Sequence, residues 1–372
     1  MPIPLRPALL AALLLAAPAA AQHSRTHTNH NGEVHIVDSR NGERLEIAMR
    51  GQVEFNDEGD WVESVSPGGR LLVEERRRGM ERRMEFTDGD RGVRIRYWVN
   101  GDARQVDAGA REWARARILE AVRESGFGAE QRVARIRAGR GVNGVLEEIG
   151  RIRNDTGRRM YYLALLDGPR MTSAEFARVM DDVGRRIGSD TETRLVLHRA
   201  ADQASDGTRT AALLRALRSV ESDVETRLVL HRVAEGGRLR DDASRQAFFA
   251  ALENIGSDTE RRLVLHRLAE GGLDAALRPG FFDAVSEFSS DTERRLVLSA
   301  VMRGDAPEAV IVDAIQAAGE MRSDTEKRLV LSQVPSSRMR SQRVTDAYRA
   351  VVRTMRSDSE RSLALRRLAG DY

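Results

Sequence analysis

The chain has 372 residues, which is long enough for two or three domains. Its 60 basic and 57 acidic residues are interspersed and leave a formal net charge of only +3, which argues against nucleic-acid binding by charge alone. The chain contains no cysteine, which excludes disulfides, thiolate catalysis, zinc–thiolate sites and lipidation at cysteine.

Residues 1–21 have the pattern of a secretory signal sequence. Arg6 supplies the positive start, residues 8–17 are apolar, and three alanines precede Gln22 as a small-residue cleavage site. The apolar run is too short to span a bilayer, and no later segment is apolar enough. The sequence therefore predicts an exported protein without an integral membrane segment after cleavage, and the periplasm is the compartment that fits best.

Residues 22–33 are polar and are predicted to form a disordered linker. His23, His27 and His30 lie close together there, which leaves two interpretations, a metal site or a solvated tail. The solvated tail is favoured, because such short polar tracts bind metal only in a minority of cases.

Residues 34–106 alternate apolar and polar residues with a period of two, which predicts a small antiparallel β-meander domain with one buried face. Turn signals such as Asn41-Gly42 and Asn100-Gly101 separate the strands. One predicted hairpin, with Gly79 at its tip, carries a cluster of arginines: Arg76, Arg77, Arg78, Arg82 and Arg83. This arginine cluster is either a contact site for an acidic partner or an ordinary solvated hairpin, and the pattern favours the hairpin.

Residues 107–127 are predicted to form a connecting amphipathic helix, with Trp113 anchoring it on the sheet or on the first repeat. Residues 128–154 resemble a worn helical repeat and are predicted to be an atypical capping repeat. Within them, residues 139–144 match the G-x-G-x-x-G pattern. A dinucleotide site needs a buried strand before this pattern, whereas the preceding residues have a helical pattern, so a loop between two repeat helices is favoured.

From residue 155 onward a motif recurs, Ser-Asp-x-Glu-x-Arg-Leu-Val-Leu with small variations, at intervals of 33 to 35 residues. Its aspartates are Asp155, Asp190, Asp223, Asp258, Asp291, Asp324 and Asp358. A fixed period near 34 residues is typical of stacked helical hairpins, none of which can bury its apolar face alone. Residues 155–372 are therefore predicted to form an α-solenoid, which gives the whole chain an α+β fold with the β domain first.

The motif itself predicts helix initiation. In the copy at residues 257–265, Ser257 is placed to cap the helix, Glu260 to reach back to the N–H of the cap, and Asp258 to pair with Arg262. A ladder that binds ligand is the alternative, and a cap with a surface ion pair is favoured. The apolar stripe that follows consists of Val264, Leu265, Leu268 and Ala269.

Three histidines, His198, His231 and His266, occupy the same position in successive repeats. Stacked helices lie about 8–10 Å apart, whereas metal–nitrogen bonds are about 2.0–2.1 Å long, so one ion could hardly bind all three. A pH-responsive edge and half-exposed packing residues are the two interpretations, and packing is favoured. No zinc-protease, nucleophile-elbow or P-loop motif occurs, so the sequence predicts no catalytic residue, cofactor or metal site.

The repeat and the block before it resemble a known group of proteins. Besides the repeat, the likeness rests on the stretches GRLLVEE at residues 69–75, YWVNG at residues 97–101 and Glu112-Trp113. These motifs resemble repeat regions of bacterial envelope proteins, some attached to BlaR/MecR-like sensor metallopeptidases. The likeness covers about residues 64–368. Since the chain lacks the peptidase's zinc motif and membrane helices, the resemblance implies an exported interaction or sensing module and no catalytic residue.

These observations predict a non-enzymatic protein that binds another envelope protein or peptide through the solenoid. The alternative is binding of an anionic envelope polymer through the arginine cluster, which moderate salt should weaken steeply. An enzyme with its site in the β domain is the third interpretation, and a deep pocket with convergent polar groups would favour it.

Overall fold

The computed structural model describes residues 23–30, 33–40, 42–303 and 306–369. It has the predicted α+β fold, in which an antiparallel β unit is followed by helical repeats. The chain divides into two compact units between Phe127 and Gly128. The predicted signal sequence, residues 1–21, lies outside the described residues. Among the described helices, none combines the length and the apolarity that crossing a bilayer requires.

The first unit contains nine strands in its described part. They are β1 (His23–His30), β2 (Glu33–Arg40), β3 (Glu43–Arg50), β4 (Val53–Phe55), β5 (Val62–Val65), β6 (Arg70–Arg77), β7 (Met80–Gly89), β8 (Gly92–Val99) and β9 (Asp102–Arg104). Seven of them form one antiparallel sheet in the order β1-β2-β3-β6-β7-β8-β9, while β4 pairs with β5. The main sheet is thus a meander that the β4–β5 hairpin interrupts.

The prediction that residues 22–33 form a disordered linker is wrong for most of this segment. Residues 23–30 form β1, which pairs antiparallel with β2 from His23 opposite Arg40 to His30 opposite Glu33. The sequence signal that could have identified this hairpin is Asn31-Gly32, because Asn-Gly favours the two-residue turns that join antiparallel strands. The β unit therefore begins before residue 34. The side chains of β1, with the histidines of the predicted tail, lie outside the described part of the structure.

Helix α1 (Ala108–Ser125) belongs to the β unit and does not serve as a separate connection to the repeats. Asp107 caps it by accepting a hydrogen bond from the N–H of Ala110 at 2.7 Å. Of the two anchoring sites considered for Trp113, the sheet is the correct one, because helix and sheet share one apolar core. The largest side chains of this core are Ile47, Leu71, Met84, Phe86, Tyr97, Trp113 and Ile118.

The second unit is helical. Its helices are α2 (Ala129–Ile149), α3 (Asp155–Asp167), α4 (Ser173–Arg186), α5 (Asp190–Ala201), α6 (Gly207–Ala216), α7 (Asp223–Glu235), α8 (Asp242–Glu253), α9 (Asp258–Glu270), α10 (Arg278–Ser286), α11 (Asp291–Val301), α12 (Glu308–Gly319), α13 (Asp324–Leu331), α14 (Gln342–Thr354) and α15 (Asp358–Ala369). From α3 onward, each odd-numbered helix begins with the motif and packs on the next odd-numbered helix. The even-numbered helices pack on one another in the same way and form a second layer.

Helix α2 replaces the regular hairpin at the start of the solenoid. Its N-cap residue, Gly128, makes no side-chain hydrogen bond. The residues of this predicted capping repeat that resemble the motif, Glu130-Gln131-Arg132-Val133, therefore do not cap the helix. The helix is interrupted at Gly141, whose φ of 65° is left-handed and favours glycine. The G-x-G-x-x-G residues therefore form a break between two helical segments, and no strand precedes them within this described segment.

The motif helices from α3 to α13 bury the same two motif positions, whereas α15 buries only the first of them, because Leu365 is 46% exposed. In α9, Val264 and Leu265 are fully buried, and Phe248 of α8 and Phe281 of α10 belong to the same apolar cluster. This cluster is continuous through the repeats. Stacking therefore supplies the core that a single helical hairpin lacks.

Candidate interaction surface

The motif serine caps its own helix, but the rest of the motif contacts the neighbouring repeat. Ser257 accepts a hydrogen bond from the N–H of Glu260 at 3.4 Å, as predicted. The N–H of Ser257 does not bind Glu260; it donates to Asp223 of the preceding repeat at 2.8 Å. The N–H of Gly256 donates to the same carboxylate at 3.1 Å. The predicted reciprocal cap is therefore wrong, because an aspartate from the preceding repeat already binds that backbone donor.

This contact recurs at every junction between described repeats. Six residues, the junction aspartates, each accept two backbone N–H groups from the loop before the next motif helix, at 2.6–3.2 Å. They are Asp155, Asp190, Asp223, Asp258, Asp291 and Asp324. Hydrogen bonds to an ionised acceptor are about twice as strong as neutral ones. The junction aspartates therefore bind the end of one hairpin to the start of the next motif helix.

The motif arginine also acts across the junction, so the predicted pair of Asp258 with Arg262 is wrong. The Nε of Arg262 donates to Glu293 of the next repeat, and the hydroxyl of Thr259 donates to the other oxygen of that carboxylate at 3.3 Å. Asp258 is engaged by the N–H groups of its junction, which leaves Glu293 as the acceptor for the arginine. The same ion pair joins Arg159–Glu192, Arg194–Glu225, Arg227–Glu260, Arg295–Glu326 and Arg328–Glu360.

Two motif copies deviate from this pattern, and they stand at opposite ends of the series. Gly157 occupies the position of the glutamate that would accept from an earlier arginine. Ser362 occupies the position of the arginine that would donate to a later glutamate. In both cases, the motif helix that would supply the partner is absent from the described part of the chain.

Acid should weaken the junction that Asp324 forms. The N–H groups of Ser357 and Arg356 donate to Asp324 and hold the pKa of its carboxyl below the ordinary value of 3.8, against an opposing effect of burial. Because the pKa is lower in the folded state, this carboxylate stabilises the fold above about pH 4, and its contribution is lost as the pH falls through the lowered pKa. We expect Asp324→Asn to lower the urea midpoint at pH 7, with a difference from the unmodified protein that shrinks between about pH 5 and about pH 2. A difference that stays constant over this range would contradict the assignment.

The structure also shows a line of apolar motif residues that lie outside the buried core of the solenoid. An apolar residue follows the motif arginine, or its replacement, in all seven copies: Met160, Leu195, Leu228, Leu263, Leu296, Leu329 and Leu363. None of these seven, which we call the leucine column, belongs to the buried core cluster. Met160 is 37% exposed and Leu363 is 47% exposed, while the other five are half-buried. Since the odd-numbered helices stack in order, the column runs across the whole layer.

Polar side chains border the leucine column on both sides. Helical geometry places the residues four before and three after each column position on the same face. Four positions before Leu195 lies Thr191, and the corresponding residue in the next repeat is Val224, which is 46% exposed. Three positions after Leu195 lies His198. The surface therefore has an apolar centre. A hydroxyl borders it on one side in every copy except the one with Val224. An imidazole borders it on the other side in three copies, at His198, His231 and His266.

The three histidines singled out in the sequence do not converge. The Nε2 of His198 lies 3.3 Å from the carbonyl oxygen of Leu228 in the next repeat. Burial lowers the pKa of His231, against an opposing effect of the Leu263 carbonyl. The Nδ1 of His266 lies 3.4 Å from Glu270. In the part of the chain that the structure describes, no three histidine or carboxylate groups come together as a metal site.

Alternation along β6 and β7 divides the arginine cluster of the β unit between the two faces of the sheet. Arg77 and Arg82 lie on the face that α1 covers. Arg76 and Arg83 lie on the opposite face, where Arg76 donates to Glu81 at 2.7 Å and Arg83 lies over Trp98 at 5.3 Å from the ring centre. Arg78 forms the hairpin tip with Gly79, and its side chain is 85% exposed. The structure thus brings Arg77, Arg78 and Arg82 to one cavity and separates them from the other two.

No family model and no curated protein matches this chain. A solved structure reported under "Computational Design of Self-Assembling Cyclic Protein Homooligomers" is 15% identical, covers 70% of this chain and 95% of its own, and has a TM-score of 0.14. At that TM-score the similarity carries no argument about fold, assembly or function. The resemblance to repeat regions of envelope proteins stays a prediction.

Proposed function

We propose that the solenoid binds another envelope protein or a peptide through the leucine column, in a non-enzymatic role. The observation that carries this proposal is that the residue after the motif arginine, or its replacement, is apolar in all seven copies and lies outside the core cluster. A single exposed leucine needs no explanation. A line of apolar side chains with polar borders has the arrangement of protein interfaces, in which an apolar centre is surrounded by a polar rim.

The other recurring side chains support binding over catalysis. The serine, aspartate, threonine, glutamate and arginine of the motif make caps and junction contacts, as in the repeat that begins at Ser257. The fold therefore uses the polar part of the motif for caps and junctions, whereas the residue that follows its arginine lies outside the core cluster. Export to the periplasm is part of the proposal, and the signal-like pattern of residues 1–21 supports it.

The alternative, binding of an anionic polymer through the arginine cluster as a continuous patch, has less support. Arg76 and Arg83 lie on the other face of the sheet from Arg77 and Arg82, and Arg76 is paired with Glu81. A polymer strand on one face would contact only part of the cluster.

The test of the proposal is capture from envelope extract by the mature chain, residues 22–372, and by a variant of its column. We expect the triple substitution Leu228→Gln, Leu263→Gln and Leu296→Gln to reduce the amount of captured partner by at least about tenfold at moderate salt. Glutamine has nearly the helix propensity of leucine and a similar length, so the helices should persist while the apolar surface is lost. Capture is quantified by mass spectrometry of the retained proteins.

The matched control is Met80→Gln, which removes an apolar side chain that is 44% exposed in the β unit. This variant should retain the partner as the unmodified chain does. If the triple variant captures the same protein in the same amount, the leucine column is not the binding surface. If Met80→Gln loses the partner as well, nonspecific adsorption to exposed apolar side chains explains the capture, and the proposal fails.

A further inference from the structure

A cavity of about 530 Å³ lies in the β unit, between the end of the β6–β7 hairpin and the first turns of α1. Cavities that hold small ligands have volumes of about 300–1,000 Å³. Residues on α1, including Glu112 and Trp113, form one wall, and hairpin residues, including Arg77 and Arg82, form the other. This cavity is independent of the leucine column, which belongs to the other unit.

Trp113 lines the cavity with a small apolar part of its ring, since the residue is 7% exposed and its N–H is already bound. Its Nε1 donates to Glu75 at 2.7 Å, and the other oxygen of Glu75 lies 3.6 Å from the Nε of Arg117. Glu75 is therefore neutralised by an arginine and an indole N–H. Met80 lines the same cavity and is 44% exposed, which adds a second apolar surface. An apolar group of a ligand would pack against these two side chains.

The arginines of the cavity differ in how far their charges are compensated. Arg77 lies 3.0 Å from Glu43, and Arg117 lies 2.6 Å from Glu120. Arg82 has no carboxylate partner among the described residues; its guanidinium lies 6.0 Å from the centre of the Trp113 ring. Arg78 reaches Glu43 only at 3.9 Å and is 85% exposed. Arg82 and Arg78 thus leave donors available for an anion.

We propose that this cavity binds a small ligand that carries one carboxylate beside an apolar group. The carboxylate would pair with Arg82 and Arg78, because the planar guanidinium matches a carboxylate with two parallel hydrogen bonds. The apolar group would pack on Trp113 and Met80. The ligand carries a single negative charge, since Glu112 also lines the cavity and would repel a second one.

The test uses two probes that differ only in this charge, N-acetyl-phenylalanine and N-acetyl-phenylalaninamide, titrated into the mature chain by calorimetry. We expect the acid to bind at least about tenfold more tightly than the amide. Arg82→Gln should weaken binding of the acid by at least about tenfold. Arg83→Gln is the matched control, because Arg83 is the next residue but lies on the opposite face of the sheet over Trp98. This control should bind the acid with an affinity within about twofold of the unmodified chain.

Loss of Arg82 could also disturb the packing of Trp113, so Arg78→Gln repeats the test at the exposed hairpin tip. This substitution should weaken binding of the acid without changing the circular dichroism spectrum or the melting temperature of the protein. Equal binding of acid and amide, equal losses in Arg82→Gln and Arg83→Gln, or no binding of the acid by the unmodified chain would each overturn the proposal. Tighter binding of inorganic phosphate than of the acid would also overturn it, because the ligand would then be a polyvalent anion.

Discussion

Replacing Asp258 with alanine is expected to lower the free energy of unfolding of the solenoid by about 3 kcal/mol. The carboxylate accepts the N–H of Ser290 at 2.8 Å, the N–H of Ser289 at 3.0 Å and the hydroxyl of Ser289 at 2.7 Å. A hydrogen bond to a charged group contributes about 1.5–3 kcal/mol, and partial exposure reduces each of these three to about 1 kcal/mol. The midpoint of urea unfolding, followed by the helical circular dichroism signal, measures the loss.

The matched control for this prediction is Asp358→Ala in the last described repeat. Asp358 occupies the same motif position, but its side chain is 95% exposed and pairs with Arg361 of its own helix at 3.0 Å. An exposed pair of this kind contributes about 0.5 kcal/mol or less. If both substitutions destabilise the chain equally, the aspartates act on their own helices and the junction assignment is wrong.

Replacing Trp113 with alanine is expected to lower the free energy of unfolding of the β unit by about 3–5 kcal/mol. The side chain is only 7% exposed, its ring centre lies 5.8 Å from that of Tyr97, and it donates a hydrogen bond to Glu75. The substitution leaves a cavity between α1 and the sheet and removes the N–H partner of a half-buried carboxylate. All three tryptophans, Trp61, Trp98 and Trp113, lie in the β unit, so tryptophan fluorescence reports on this unit.

The comparison for this prediction is Trp98→Ala, since Trp98 lies on the opposite face of the sheet between Arg83 and Arg96. Its removal loses two cation–π contacts of about 0.5–1 kcal/mol each, and we expect a loss of about 1–2 kcal/mol. A loss for Trp98→Ala equal to that for Trp113→Ala would show that the α1 face is not the main core of the unit.

The repeat period and the period-two alternation were sufficient to predict the order of the two units and the helical hairpins. They did not predict which groups the motif contacts. A carboxylate at Asp258 satisfies the spacing for a pair with Arg262, but the same side chain also reaches the N–H groups at the start of the next repeat. The backbone N–H groups of Ser289 and Ser290 need hydrogen-bond acceptors. Which side chain accepts from them becomes clear only once the stacking of the helices is known.

Two other features could have been found in the sequence. The apolar stripe of the motif leaves out Leu263, yet an apolar residue recurs at its position in every copy, which is the signal for the leucine column. Alternation on a strand places neighbours on opposite faces, so Arg76 and Arg77 could not belong to one patch. The cavity beside Trp113 could not be predicted in this way, because it depends on where α1 crosses the sheet.

Both charged contacts of the motif run from one repeat to the next, and this has a consequence for how the array changes over generations. Asp190 binds backbone N–H groups before the next motif helix, and Arg194 binds the glutamate of that helix. The segment at residues 256–260 offers the same N–H groups and glutamate as the segment at residues 221–225. Loss of one complete unit of 35 residues, such as residues 223–257, would leave a junction built from the same partners. The array can thus gain or lose a whole unit and keep the charged contacts of its junctions, whereas a deletion that removes only part of a unit would separate an aspartate or an arginine from its partner.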